Sequence, residues 1–158
     1  RNDIWNMLPI DDYVKTGKVS GRQLMAWLEK ETHNVFAQNS TERFGGWFVR
    51  FSGMKVRFNS AAERGKRVES VMVNGEPLES GRIYTVSACT REGDPEDMLC
   101  RIRNVQEVET QPYTMHDAVM EYLKSFSPVK PSLDGRAIAS DLGSFTFSTL
   151  PDTNYQFR

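Results

Sequence analysis

At 158 residues, 39% hydrophobic and 26% charged, the chain has the length and composition of one globular domain with a real core, which excludes disorder throughout. Its 20 basic and 21 acidic residues leave a formal net charge of −1, so it has no general attraction for nucleic acid or anionic lipid, and an anionic ligand must be held by a local cluster. No apolar run approaches the roughly 20 residues of a membrane helix, and no signal peptide opens the chain. The first residue is Arg1 rather than Met, and Asp3 begins what looks like an established motif, so a piece of a longer protein is expected and the compartment stays open.

Asp3 is placed to cap a short helical turn, Ile-Trp-Asn-Met-Leu, which stops at Pro9. Tyr13 and Val14 then enter a strand ending near Val19. Ser20 and Gln23 have capping-box spacing, and Leu24, Trp27, Leu28, Glu31 and Val35 follow at three- and four-residue steps, which predicts a helix over 21–36 with its apolar stripe on a sheet. Ala37 to Arg43 reads as loop. From Trp47 the period becomes two. Trp47, Val49 and Phe51 are expected on the core side, with Phe48 and Arg50 opposite. After Ser52-Gly53, Met54, Val56 and Phe58 alternate with Lys55 and Arg57, completing an expected antiparallel pair.

Val68 to Val73 reads as the next strand, Asn74-Gly75 as a hairpin turn, and Ile83 to Ala88 as a further strand. Thr114 and Asp117 mark a second long helix whose apolar face is Ala118, Val119, Tyr122, Leu123 and Phe126, ended by Ser127-Pro128. Past Gly135, Phe145, Phe147, Leu150, Tyr155 and Phe157 lie among Ser, Thr and Pro, a tail expected to be ordered where its aromatics dock. Strands run consecutively with helices before and after, so the fold class is α+β with mixed, mainly antiparallel sheet.

Two cysteines, Cys89 and Cys100, flank the polar stretch 90–99. A disulfide closing so short a loop would stabilise by roughly 3 kcal/mol in the chain-entropy account, if the geometry allows it; the alternative is two buried thiols. A metal site with His33 or His116 is disfavoured because neither sits at ligand spacing.

The run from Gly45 through Trp47-Phe-Val-Arg-Phe-Ser-Gly and Met54-Lys-Val-Arg-Phe, then Arg67 to Leu78 and Ile83-Tyr-Thr-Val, resembles the C-terminal, substrate-recognising domain of the 5'-nucleotidase family. The segment Asp3-Ile-Trp-Asn-Met-Leu-Pro9 is similar to the family's stretch ending in Leu-Pro-Phe-Gly-Asn, Val19-Ser20-Gly21 to its Leu-Thr-Gly step into a helix, and Asp134-Gly135-Arg136 to its closing Gly-Arg. The resemblance implies a layered α/β/β/α domain over residues 1–136, with 137–158 as an aromatic tail packed on it. It implies an exported protein, periplasmic, cell-surface or extracellular, in which the cysteine bridge becomes more plausible. It also implies an N-terminal metallophosphatase domain of the same polypeptide as partner, holding two divalent metal ions and cleaving the phosphate, while this domain holds a nucleotide or nucleoside-like molecule.

Phe48 is the expected base-stacking residue under that resemblance; spacing alone favours packing beneath a loop or the aromatic tail. Arg50, two residues on, has a planar fork suited to a base edge, ribose or phosphate, or else to a neighbouring carboxylate. Asp94 and Asp97, with Glu92 and Glu96 nearby, can bind sugar hydroxyls or a hard cation, or form a solvated acidic loop neutralised by Arg91, Arg101 and Arg103.

Two departures from the family pattern stand out. Where the family has Asn-x-Gly-Gly-Asp-Gly-Phe, this chain keeps Gly93-Asp94 but no aromatic follows, which removes a stacking face worth roughly 1 to 3 kcal/mol. The earlier Phe-Gly-Asn is replaced by Ile10-Asp11-Asp12. No nucleophile, phosphate-loop or dinuclear-metal motif is present, so the residues here are expected to bind rather than catalyse. Other readings are a docking or structural module without a small ligand, and a relative of the thiosulfohydrolases of sulfur oxidation acting on a different substrate.

Overall fold

The computed structural model describes residues 2–45, 47–88, 90, 93–130 and 134–142. Its elements run α1 (Asn2–Met7), β1 (Tyr13–Ser20), α2 (Gly21–Phe36), a 3-10 turn at Ser40–Glu42, β2 (Met54–Phe58), β3 (Val68–Val73), β4 (Glu76–Pro77), β5 (Ile83–Ala88), β6 (Gln106–Thr114), α3 (Met115–Phe126) and β7 (Ala137–Ala139). The class is α+β with two sheets, ordered β5-β1-β6 and β4-β3-β2-β7. The chain divides into two compact units: Arg1–Leu28 with Leu78–Asp134, and Glu29–Pro77 with Gly135–Arg158.

The first unit is built on β1, which pairs antiparallel with β5 (Thr16 opposite Ser87) and with β6 (Thr16 opposite Glu109). The pairing with β6 is bulged on both sides of Lys15–Thr16. β6 escapes sequence reading because Gln-Glu-Val-Glu-Thr-Gln-Pro-Tyr-Thr has no apolar alternation. Backbone pairing and the Gln111 Nε2 to Thr16 Oγ1 hydrogen bond (2.9 Å) hold it instead. α2 starts as its spacing predicts: the Ser20 N–H donates to Gln23 Oε1 (2.8 Å), and the Gln23 N–H donates to Ser20 Oγ (3.3 Å). Gly21 is required there, since a Cβ would collide with the Glu79 carbonyl oxygen. Val19, Leu24, Trp27, Leu28, Leu99, Ile102 and Val105 form the buried core of this unit.

α3 carries the predicted capping box, with Asp117 N donating to Thr114 Oγ1 and Thr114 N donating back to the Asp117 carboxylate. Asp3 lies within the first turn of α1 rather than capping it, where its charge still suits the positive end of the helix dipole.

In the second unit β2 and β3 pair antiparallel (Val56 opposite Val71), and Val56, Phe58 and Val71 are buried. Asn74 and Gly75 take φ of 51° and 89°, the twist that a tight hairpin turn needs, and return the chain as the two-residue β4. The predicted strand at 47–51 does not form. The other edge of β2 is taken in parallel by β7, with Val56 opposite Ala137 and Phe58 opposite Ala139. Residues 137–139, expected at the start of a tail, thus belong to the sheet. The Val56 N–H donates to the Arg136 carbonyl (2.7 Å), and Arg136 Nη1 donates to Phe51 O (2.9 Å), which seats the Gly-Arg step beside β2. The rest of the expected tail, residues 143–158, and Cys89 of the expected cysteine pair lie outside the described residues.

The second half of α2 anchors this unit through polar groups. Both Glu29 carboxylate oxygens accept backbone N–H bonds at the start of β3, from Arg67 (3.2 Å) and Val68 (2.8 Å). Arg67 is buried, and its Nη1 donates to the Ser60 carbonyl. Buried His33 donates through Nε2 to Glu42 (3.0 Å), folding the 3-10 turn back onto the helix.

Candidate functional site

Phe48 and Arg50 lie in the second unit, on the irregular segment after Gly45, whose φ of 105° suits only glycine. The expected facing of Trp47 and Phe48 is inverted. Trp47, assigned to the core by alternation, is 75% exposed, while Phe48 is half-buried with its ring 4.9 Å from that of Phe58 and edge-on to Phe51 at 6.1 Å. Phe36 meets Phe58 at 5.4 Å, so Phe48 extends a row of aromatic rings. Alternation fails because residues 47–51 join no strand: without a pleat, successive side chains need not take opposite faces. Arg50 is exposed, as expected.

Asp94 and Asp97 lie in the first unit, on a loop that is far from a loose acidic surface. Leu99 and Ile102 bridge each other and are almost fully buried with Val105. α2 grips the loop through side chains: Trp27 Nε1 donates to Cys100 O (3.0 Å), and Gln23 Nε2 donates to both Arg103 O and Asn104 O (3.0 Å each). Val105 N closes the turn on Asp97 O at 2.9 Å. Cys100, Arg101 and Asn104 all take positive φ (47°, 69° and 55°), a conformation the contacts around them must hold. Asp97 is exposed and Asp94 half-buried, so the loop presents carboxylates from a rigid base. Arg91 and Glu92 lie outside the described residues.

A third cluster was not singled out from sequence. His116, at the start of α3, is buried and donates through Nε2 to Leu8 O (2.7 Å), which fixes a proton on that nitrogen. Its Nδ1 faces Asp11 Oδ2 at 3.5 Å, its backbone N–H donates to Asp11 Oδ1 (3.0 Å), and Met115 N donates to Asp12 O (2.9 Å). Trp5 meets the imidazole edge-on at 4.4 Å. Residues 8–12, where the family motif would carry Leu-Pro-Phe-Gly-Asn, are therefore clamped to the start of α3. Burial by itself would raise the Asp11 carboxyl pKa. The His116 backbone N–H, the Thr114 hydroxyl and the His116 ring outweigh it and hold the carboxyl below the usual range.

A cavity of about 210 Å³ opens here, lined by Ile4, Trp5, Asp11, His116, Asp117 and Met120. It is smaller than the roughly 300 Å³ at which drug-sized ligand sites begin, so it does not enclose a nucleotide. With Nε2 engaged by Leu8 O, His116 ties residues 8–12 to the start of α3. The available signal was Asp11 standing where the motif places another residue type, combined with a His two residues past the Thr114 cap.

Comparison with known proteins decides the family. A family model described as the 5'-nucleotidase C-terminal domain matches residues 1–89. This chain belongs to that family. Protein 5NUC of Lutzomyia longipalpis is 30% identical over 144 residues, covering 86% of this chain and 24% of that protein, so the chain spans about a quarter of that relative's length. Two solved structures from Thermus thermophilus share the fold. The sulfate thiohydrolase SoxB has a TM-score of 0.66 at 23% identity, over 83% of this chain and 23% of its own. A 5'-nucleotidase precursor has a TM-score of 0.62 at 22% identity, over 86% of this chain and 27% of its own.

Among the described residues no three His, Cys, Asp or Glu side chains gather as a metal-binding group, and no helix is long and apolar enough to cross a membrane.

Proposed function

We propose that this domain recognises the substrate of an exported, two-metal phosphoesterase of the 5'-nucleotidase type, binding a nucleotide's leaving group while an N-terminal metallophosphatase domain of the same polypeptide carries two divalent ions and cleaves the phosphate. The family match over residues 1–89 carries this reading.

What this domain contributes is binding and orientation. Asp94 and Asp97 suit sugar hydroxyls: they are acceptors on a loop held by Trp27 and Gln23, so little ordering is required when a ligand arrives. In the second unit, Phe48 and Arg50 are the proposed base contacts. The Phe58 ring occupies part of the Phe48 surface.

Steady-state kinetics of the full-length protein test this. Asp94→Asn should raise KM for a nucleoside monophosphate by roughly tenfold or more, the scale of one hydrogen bond to a charged group, with a smaller change in kcat. An unchanged KM in both Asp94→Asn and Asp97→Asn would remove the loop from the site. Turnover of thiosulfate esters in place of nucleotides would select the thiosulfohydrolase-like reading, and no turnover of either the docking-module reading.

A further inference from the structure

The helix α3 carries one nearly continuous apolar face that nothing described covers. Ala118, Tyr122, Leu123 and Phe126 lie along it at three- and four-residue steps. Tyr122 is 54% exposed, Phe126 62% and Leu123 36%, and the Tyr122 and Phe126 rings lie 4.9 Å apart. His116 is the only buried residue of the helix.

The exposed surface continues onto the start of the chain. Trp5 touches His116, Ile4 and Trp5 share a cavity with Met120 of α3, and Trp5, Met7 and Ile10 are 51%, 81% and 72% exposed. A helix with this pattern normally buries its stripe, and an apolar patch of this extent on a stable protein marks a contact surface.

We infer that this face, α3 with Trp5, Met7 and Ile10, is the docking surface for the polypeptide that precedes Arg1 in the full-length protein, which meets it with an apolar face of its own. Two observations select this occupant. The matched family is a C-terminal domain, and the relative 5NUC is about four times the length matched, so most of such a protein lies upstream. α1, at the start of the given sequence, forms part of this surface, which no described residue covers. The inference concerns assembly of the polypeptide and holds whichever substrate the protein takes.

The test uses the full-length protein with p-benzoylphenylalanine in place of Tyr122, irradiated and mapped by peptide mass spectrometry, beside hydroxyl-radical footprinting of the unsubstituted protein. The expected result is an intramolecular cross-link to a peptide upstream of Arg1. Met7, Trp5 and Phe126 should also lose labelling relative to Trp47, after correction for each residue type's own reactivity. Cross-linking to residues 143–158 would give the face to the chain's own tail. A cross-link between two chains, with protection falling on dilution, would give it to a second copy. Either result overturns the inference, as does labelling of Met7 and Phe126 as fast as that of Trp47. Phe126→Ser, a surface change in this chain taken alone, serves as a second variant: it should raise labelling at Met7 if upstream chain is displaced.

Discussion

Residues 93–105 and residues 44–51 have composition and packing at odds, in opposite senses. The first stretch is charged and punctuated by Gly and Pro, yet it buries Leu99, Ile102 and Val105 and is gripped by two α2 side chains. The second is aromatic and alternating, yet its described residues form no strand and leave Phe44 and Trp47 largely in solvent. Polar residues were no bar to a buried loop, because its carbonyls found Trp27 and Gln23 as donors. Aromatic residues did not make a strand, because the free edge of β2 went to β7. The partner available to the backbone, more than the polarity of the side chains, decided both outcomes.

Mutations can break that contrast. Leu99→Ala removes a side chain with no exposed surface and should destabilise by about 2–5 kcal/mol in urea unfolding, the usual range for a core cavity; a loss below that of a surface change would mean the loop is not a core element. Gly17→Ala pushes a Cβ from β1 into Val105 Cγ1, with Leu99 Cδ1 at 3.2 Å, and overpacking should cost roughly 1–3 kcal/mol. Trp27→Phe deletes the donor to Cys100 O and part of a buried ring system, and should destabilise by about 1–3 kcal/mol.

Acidification combined with Asp11→Asn probes the first unit without touching the loop's apolar core. The Asp11 carboxyl is depressed in the fold, so its stabilisation is complete above the unfolded-state pKa and is lost as pH falls through the folded value. Asp11→Asn should flatten the acid limb of the unfolding curve, and an unaltered limb would place the acid sensitivity elsewhere. At the small end, Trp47→Ala should change stability by less than about 0.5 kcal/mol, since the side chain is mostly in water.

Legibility followed the range of the determining contact. The start of α2 at Ser20-Gly21, the Asn74-Gly75 turn and the Thr114 cap are set by neighbours within four residues and read correctly, and β3 and β5, though paired with distant strands, read correctly from their β-branched, apolar runs between turn residues. β6 and β7 are set by partners more than 80 residues away, and neither shows in the local pattern. The candidate residues divide similarly. Arg50 and Asp97 are exposed as their polarity suggests, while the half-buried state of Phe48 depends on Phe58 and Phe51, and the His116 clamp depends on Leu8 and Asp11 across more than 100 positions.

The parallel pairing of β7 with β2 bears on how the protein is made. A growing chain that has emerged as far as Pro77 holds β2, β3 and β4 but not the strand that covers the outer edge of β2. That edge stays open for some 60 further residues of synthesis, on the order of several seconds at bacterial or eukaryotic elongation rates. During that interval β2 presents unpaired backbone groups to any other extended chain. Fragments ending before Ala137 should therefore aggregate more readily than those ending after Ser140, and a nascent chain has most need of a chaperone in the window between these two lengths.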